Sequence, residues 1–296
     1  PDDPYFAATL RNYFPAQLDR DLEFLPSAAV LEERLAAGGS LTTPELSVLV
    51  AYAKIQLAGA LAASDLPDDP YFAATLRNYF PAQLAERFGA ELANHPLRRE
   101  IIATVVANDM VNIGGTTYAF RVMEETGASE AQVAKAFVAL REIYSFDDEI
   151  GAINALPASF DAQHWCRLHL DMRRLLDRAT RWFIHHVDRD EPVDGAIASL
   201  APTVRSLRPV VGSLLRGADA ERVARWKAEG KGWGLDDALA TRWAGQFETF
   251  VLLDIAAQAK RSGTDAVELA KVYYVLYDRF GVDSLLERIT ALPRDD

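Results

Sequence analysis

Cysteine is nearly absent. The one residue of this type, Cys166, can close no intramolecular disulfide, and there is no thiol cluster for a structural zinc. An excess of positive charge is missing too. The 31 basic and 43 acidic side chains give a formal net charge of −12, a field that repels a phosphate backbone and argues against nucleic-acid binding. The chain opens Pro1-Asp2-Asp3-Pro4, without the basic and apolar regions of a secretion signal. With the lone cysteine, this leads to the expectation of a reducing, cytoplasmic setting. No uninterrupted apolar run reaches the roughly 20 residues of a membrane-spanning helix. The longest stretch, Leu46 to Ala62, is broken by Lys54 and Gln56 and reads as a buried core helix, not a membrane segment.

Catalytic motifs are missing as well. No G-x-G-x-x-G follows a predicted strand, and there is no G-x-x-x-x-G-K-[ST], G-x-S-x-G or H-E-x-x-H. The glycine-rich Gly230–Gly234 segment, GKGWG, reads as a loop too short to cradle a phosphate. His164, Cys166 and His169 invite a metal reading, but residues five apart lie roughly 140° apart around a helix, so the two histidines diverge. The adjacent His185 and His186 diverge also. Glu124, Glu125, Asp147, Asp148 and Glu149 sit in charged runs and are expected on solvated faces. No catalytic, cofactor-binding or metal residue is assigned within the chain.

What is present is helix and a repeat. Half of the residues are apolar and a quarter charged, the balance of a soluble globular protein. Residues 1–18, PDDPYFAATLRNYFPAQL, recur unchanged at 67–84. Structural repeats drift at their exposed positions, so full identity points to a recent duplication or an artefact, and 67–84 is taken as the genuine copy. Beyond it, start signals at Ser27, Thr43-Pro44-Glu45, Asp69-Pro70, Pro96, Ser129 with Gln132, and Asp161 open successive helices. Trp165, Leu168, Met172, Leu175, Leu176 and Phe183 are the expected buried positions of a long helix over Asp161–Val187. Further helices are expected at Leu235–Lys260, Ala266–Phe280 and Asp283–Ala291. Sustained two-residue alternation is absent, so the expected class is all-α, a multi-helix bundle with two helical subdomains. The division runs as the 1–18 copy, a linker and short helix over 19–39, a main subdomain over 40–188, and a second, truncated one over 189–296.

Five polar positions stand out. Lys54 and Asp254 fall in apolar runs and are candidate buried charges, because an unpaired buried charge costs several kcal/mol. Either each reaches an edge, or they pair with one another or with Asp109. Asn108, Asp109 and Asn112 crowd the last turn of a helix before Gly114-Gly115, where Asn and Asp are poor helix formers. Asn108 and Asn112, four apart, share a helical face. The group reads as a hydrogen-bonded helix end or as an interdomain contact.

The segments ELSVLVAYAKIQL, LRREIIATVVANDMVNIGGTTYAFRVMEETGAS and FDDEIGAINAL resemble the large bacterial NAD-specific glutamate dehydrogenases, and DRDLEFLPS at 19–27 resembles the link that leaves their catalytic region. The resemblance implies a non-catalytic C-terminal helical domain of such an enzyme. It also implies a parent that oxidatively deaminates L-glutamate to 2-oxoglutarate and ammonia with NAD, a catalytic core in the same polypeptide as partner, and a homo-oligomer. No cofactor is expected within this piece. One departure is Ile113, where the family pattern has Arg after MVN. A stand-alone helical scaffold for a protein partner is the competing reading.

Overall fold

The computed structural model describes residues 18–280. They form helices and connecting turns with no strand among them, so the all-α expectation is met. Helices of seven residues or more are, in chain order, α1 (Ala28–Ala36), α2 (Thr43–Ala63), α3 (Ala73–Tyr79), α4 (Arg98–Asp109), α5 (Tyr118–Thr126), α6 (Glu130–Tyr144) and α7 (Phe146–Asn154). They continue as α8 (Ala162–His186), α9 (Val193–Leu207), α10 (Gly217–Gly232), α11 (Asp237–Ala244), α12 (Leu252–Ser262) and α13 (Ala266–Phe280). The first copy of the repeat, apart from Leu18, and the helix expected over Asp283–Ala291 lie outside the described residues.

Side-chain caps set many of the helix starts by satisfying N–H groups that have no partner inside the helix. Ser27 Oγ accepts from the Val30 amide, and Asp161 Oδ1 accepts from the Gln163 and His164 amides, both at 3.0 Å. Ser129 and Gln132 exchange bonds in a full capping box: the Ser129 amide donates to Gln132 Oε1 at 2.9 Å and the Gln132 amide to Ser129 Oγ at 3.3 Å. Gly127 and Gly263 end α5 and α12 in the left-handed conformation that glycine adopts without a Cβ penalty.

The chain divides into two units, one up to Phe137 and one from Val138. In the first, α2 packs chiefly on α4, and α3 with the turns before it packs on α4 as well. Leu61, Phe72, Leu76, Ile102, Val106, Tyr118 and Phe137 are among its buried side chains. In the second, α9 packs on α12, α10 on α11, and α12 on α13. Trp243 lies in a cluster with Ile153, Leu168, Leu235 and Leu239, against which Trp226 and Trp233 pack. The charged run Asp188–Pro192, expected to separate subdomains, lies inside this second unit, where it joins α8 to α9.

Four local expectations are corrected. The apolar helix, now α2, is long and apolar enough to pass as a membrane span by composition, yet only 17% of its most apolar window is buried. Leu49, Leu57 and Leu61 are covered while Ile55 is 57% exposed, so α2 is not central. Apolar residues all round a helix cannot mark which face has a neighbour. GKGWG is a turn only at its end: α10 runs through Gly232, and Trp233 and Gly234 turn out of it. Gly230 is there for packing, since an added Cβ would sit 3.1 Å from Trp243 Cε3. The single helix expected over Leu235–Lys260 is two, parted by an irregular turn at 245–251. Trp165 is 39% exposed rather than buried.

Leu61→Ala, at a fully buried position, should cost about 2–5 kcal/mol in urea unfolding followed by helical circular dichroism. Ile55→Gln on the outer face of the same helix should stay within about 0.5 kcal/mol. Comparable losses at both positions would restore the central-helix reading.

Candidate functional site

Asn108, Asp109 and Asn112 stand where α4 gives way to a π turn, Met110–Gly114. Asn and Asp side chains compete with the backbone for hydrogen bonds and tolerate such departures from regular helix. The turn closes on Gly115, whose φ of +93° favours glycine. Gly114 is required by contact: a Cβ there would come 2.6 Å from Cγ of the buried Tyr118. Asn108 and Asp109 are half-buried and Asn112 is exposed. The change from i→i+4 to i→i+5 bonding falls between Asn108 and Asn112. π turns concentrate at functional positions.

The second unit holds a polar centre that the sequence did not announce. Glu149, expected on a solvated face, is only 1% exposed. Its Oε2 accepts from the Arg208 guanidinium at 2.6 Å and its Oε1 from the Gln246 amide nitrogen at 2.5 Å. Arg208, also buried, donates in addition to the Tyr144 carbonyl and lies over the Tyr144 and Phe146 rings at 5.7 and 5.8 Å. Arg205 likewise donates to the Glu142 carbonyl. These carbonyls belong to the last turn of α6, which has no helical donors of its own and carries the negative end of the helix dipole. Glu149 sits in the first turn of α7, where the dipole favours an acid. Between the two helices Ser145 takes a φ of +52°, uncommon for a residue with a Cβ.

Gln246 belongs to the irregular turn, whose Glu248 and Thr249 are buried with it. A buried turn must find partners for its carbonyls. The Tyr144 hydroxyl donates to the Thr249 carbonyl at 3.2 Å, and the Tyr274 hydroxyl to the Glu248 carbonyl at 2.9 Å. Burial pushes both phenols well above the ordinary tyrosine range, so both remain donors. Glu248 Oε1 accepts from Arg222 at 2.7 Å. The signal for Glu149 was its spacing: three residues after Phe146 and four before Ile153, both buried, it shares their face of α7.

The remaining candidates are dispersed. Asp254 is exposed and not a buried charge. It sits at the edge of the face that buries Leu252, Leu253, Ile255 and Ala256, and its Oδ1 accepts from the Trp182 indole at 2.7 Å. Lys54 is half-buried on α2, in the other unit. His164 stacks on Trp233 with ring centroids 4.1 Å apart, and His169 lies 4.1 Å from Trp165. Cys166 is exposed. Among the described residues no group of three His, Cys, Asp or Glu side chains is placed to hold a metal. A cleft of about 260 Å³ is lined by Trp182, Ser199, Lys260 and Arg261 together with Asp188 and Glu191, so both signs of charge meet in it.

Glu149→Gln should cost about 3–5 kcal/mol in urea unfolding, because it leaves the Arg208 cation buried without its anion. Glu149→Gln combined with Arg208→Met should recover part of that loss; a further additive loss would contradict the pairing. His169 gives a pH dependence. Burial lowers its pKa from 6.5, so the fold favours the neutral ring. Its contribution is present above pH 6.5 and is lost as pH falls through the lowered value. His169→Phe should therefore flatten the stability profile on the acid side, and an unchanged slope would remove His169 from the account.

The sequence matches the family model described as glutamate dehydrogenase, C-terminal, over residues 38–296. The NAD-specific glutamate dehydrogenase of Mycobacterium tuberculosis is 38% identical to it over 94% of this chain. Those of Halomonas elongata and Pseudomonas aeruginosa are 36% and 38% identical over 93% and 94% of it. The chain spans 17% of the length of each of these relatives. With an all-α fold and a family match across nearly all of its length, this chain belongs to the glutamate dehydrogenase C-terminal family.

Proposed function

We propose that this chain serves as the non-catalytic C-terminal helical domain of an NAD-specific glutamate dehydrogenase. The parent polypeptide, in this reading, oxidatively deaminates L-glutamate to 2-oxoglutarate and ammonia. Its catalytic core, elsewhere in the same polypeptide, holds NAD and glutamate and carries out the hydride transfer. The helical domain packs on that core and contributes to assembly of a homo-oligomer or to its regulation. The observation that carries the reading is the family match over residues 38–296, in a chain that covers 17% of relatives bearing that activity.

Two surfaces of the first unit suit such packing. The π turn presents Asn108, Asp109 and Asn112 with graded exposure, on backbone held by the contact of Gly114 with Tyr118. Along α2, Leu46 and Ile55 are both exposed, half a turn apart around the helix, and each offers an apolar contact point.

Two measurements test the proposal. This chain alone, folded and supplied with L-glutamate and NAD, should produce no NADH; turnover by the isolated chain would overturn it. In a parent polypeptide that carries this domain, Asn108→Ala with Asn112→Ala should change kcat on the order of 2- to 30-fold without moving the KM for NAD, as expected of a coupling contact remote from the cofactor. Unchanged kcat and assembly would remove the π turn as the contact while leaving the domain assignment in place.

A further inference from the structure

Phe24 stands out on two independent counts. Its side chain is 92% exposed, more than any other large apolar side chain among the described residues. Its backbone φ is +52°, a left-handed conformation that is an outlier for a bulky residue. An apolar ring in water and a left-handed backbone both cost free energy, and a ring this exposed offsets neither.

The conformation is imposed by a well-bonded turn. Asp19 Oδ1 accepts from the Asp21 and Leu22 amides at 3.0 and 3.1 Å and opens it. The turn closes as a helix end does. The Leu25 amide donates to the Arg20 carbonyl at 2.8 Å, and the Phe24 amide to the Asp21 carbonyl at 3.3 Å. In that closure the left-handed position ordinarily belongs to glycine, and here it holds Phe24. Glu23 and Leu25 on either side are half-buried, and Glu23 Oε1 accepts from the Tyr52 hydroxyl at 2.6 Å, which pins the turn to α2. The ring is therefore held out from a fixed base. Leu22, two residues earlier in the turn, is exposed, and so is Ile55, three residues along α2 from Tyr52.

We propose that Phe24 is a preformed aromatic anchor, by which this chain docks into an apolar, basic-rimmed pocket on the catalytic core of its parent polypeptide. The proposal rests on the domain reading above and names a residue that makes the contact. Two observations choose the occupant. The chain spans 17% of each relative, so on that reading most of the polypeptide lies outside it and is held close by connectivity. The turn carries Asp19, Asp21 and Glu23 with one cation, Arg20, on a chain of net charge −12. Two copies meeting through this turn would bring like charges together, whereas a basic rim complements it. A ring that fills a desolvated pocket is the usual energetic centre of a contact, and one fixed before docking loses little freedom on binding. Its burial would also offset the cost of the backbone that presents it.

Hydroxyl-radical footprinting with mass spectrometry reads the exposure of Phe24 directly. Phe24 should be oxidised several-fold more slowly in the parent polypeptide than in this chain alone. Equal rates would overturn the anchor and leave the domain assignment, which the NADH assay tests, in place. Protection already present in the chain alone and lost on dilution would put a second copy on Phe24, against the proposal. Phe24→Gly gives an independent test of sign. In the chain alone it relieves the left-handed backbone and removes almost no burial, so the urea midpoint should hold or rise. In the parent it removes the anchor, so activity should be lost at a lower urea concentration. A lower midpoint in the chain alone, or an unchanged urea tolerance in the parent, would overturn the proposal.

Discussion

The second unit depends on one buried ion pair. Arg208 is placed so that a single guanidinium meets the carbonyl end of α6 through Tyr144, the acidic first turn of α7 through Glu149, and the faces of two aromatic rings. Those two helices meet at Ser145 in a left-handed backbone conformation that its side chain disfavours. Removing the cation would leave a carboxylate in the interior and take a donor from the Tyr144 carbonyl, and each deficit is costly where the dielectric is low. Replacing both partners by apolar groups is a milder change, so the pair is better understood as fixing which backbone arrangement forms than as adding net stability.

The same carboxylate reaches a segment far away in sequence. Through Gln246 it grips an irregular turn that would otherwise be a poor candidate for burial. Tyr144 and Tyr274 supply hydroxyls to the carbonyls of that turn, and the high pKa of a buried phenol keeps those protons in place. The turn is thus held by side chains from α6, α7 and α13 together. Its backbone finds in them the partners that a continuous helix would have supplied internally.

Much of this was legible in the residues and some was not. Caps were legible because they are local: Ser27, the Ser129–Gln132 pair and Asp161 act on amides within three positions. The all-α class was legible, and the family resemblance was carried by long segments that the family match over 38–296 then covered. Burial was harder to read. Glu149 looked solvated among Asp147 and Asp148, because its partner Arg208 lies 59 residues away. Ile55 looked interior because hydropathy reports composition, not the presence of a neighbour. The break at 245–251 was hidden because, apart from the Thr249 hydroxyl that donates to the Gln246 carbonyl, the side chains that hold it are distant in sequence: two tyrosine hydroxyls and a carboxylate. The polar group at Asn108–Asn112 was legible as a helix end, but the π turn was not, and the closeness of Tyr118 that excludes a Cβ at Gly114 is seen only in the structure.

The placement of the indoles has a spectroscopic consequence. All five tryptophans, at 165, 182, 226, 233 and 243, fall after Phe137, and Trp226 and Trp233 pack on Trp243, which lies over the notch left by Gly230. Intrinsic tryptophan emission from this chain is therefore a signal of one unit only. The buried cluster of Trp243 with Trp226 and Trp233 should shift to longer wavelength as the second unit opens. The first unit, with tyrosine and phenylalanine but no indole, would melt without changing that emission directly. Comparing the emission transition with the loss of helical ellipticity would show directly whether the two units unfold as one cooperative body.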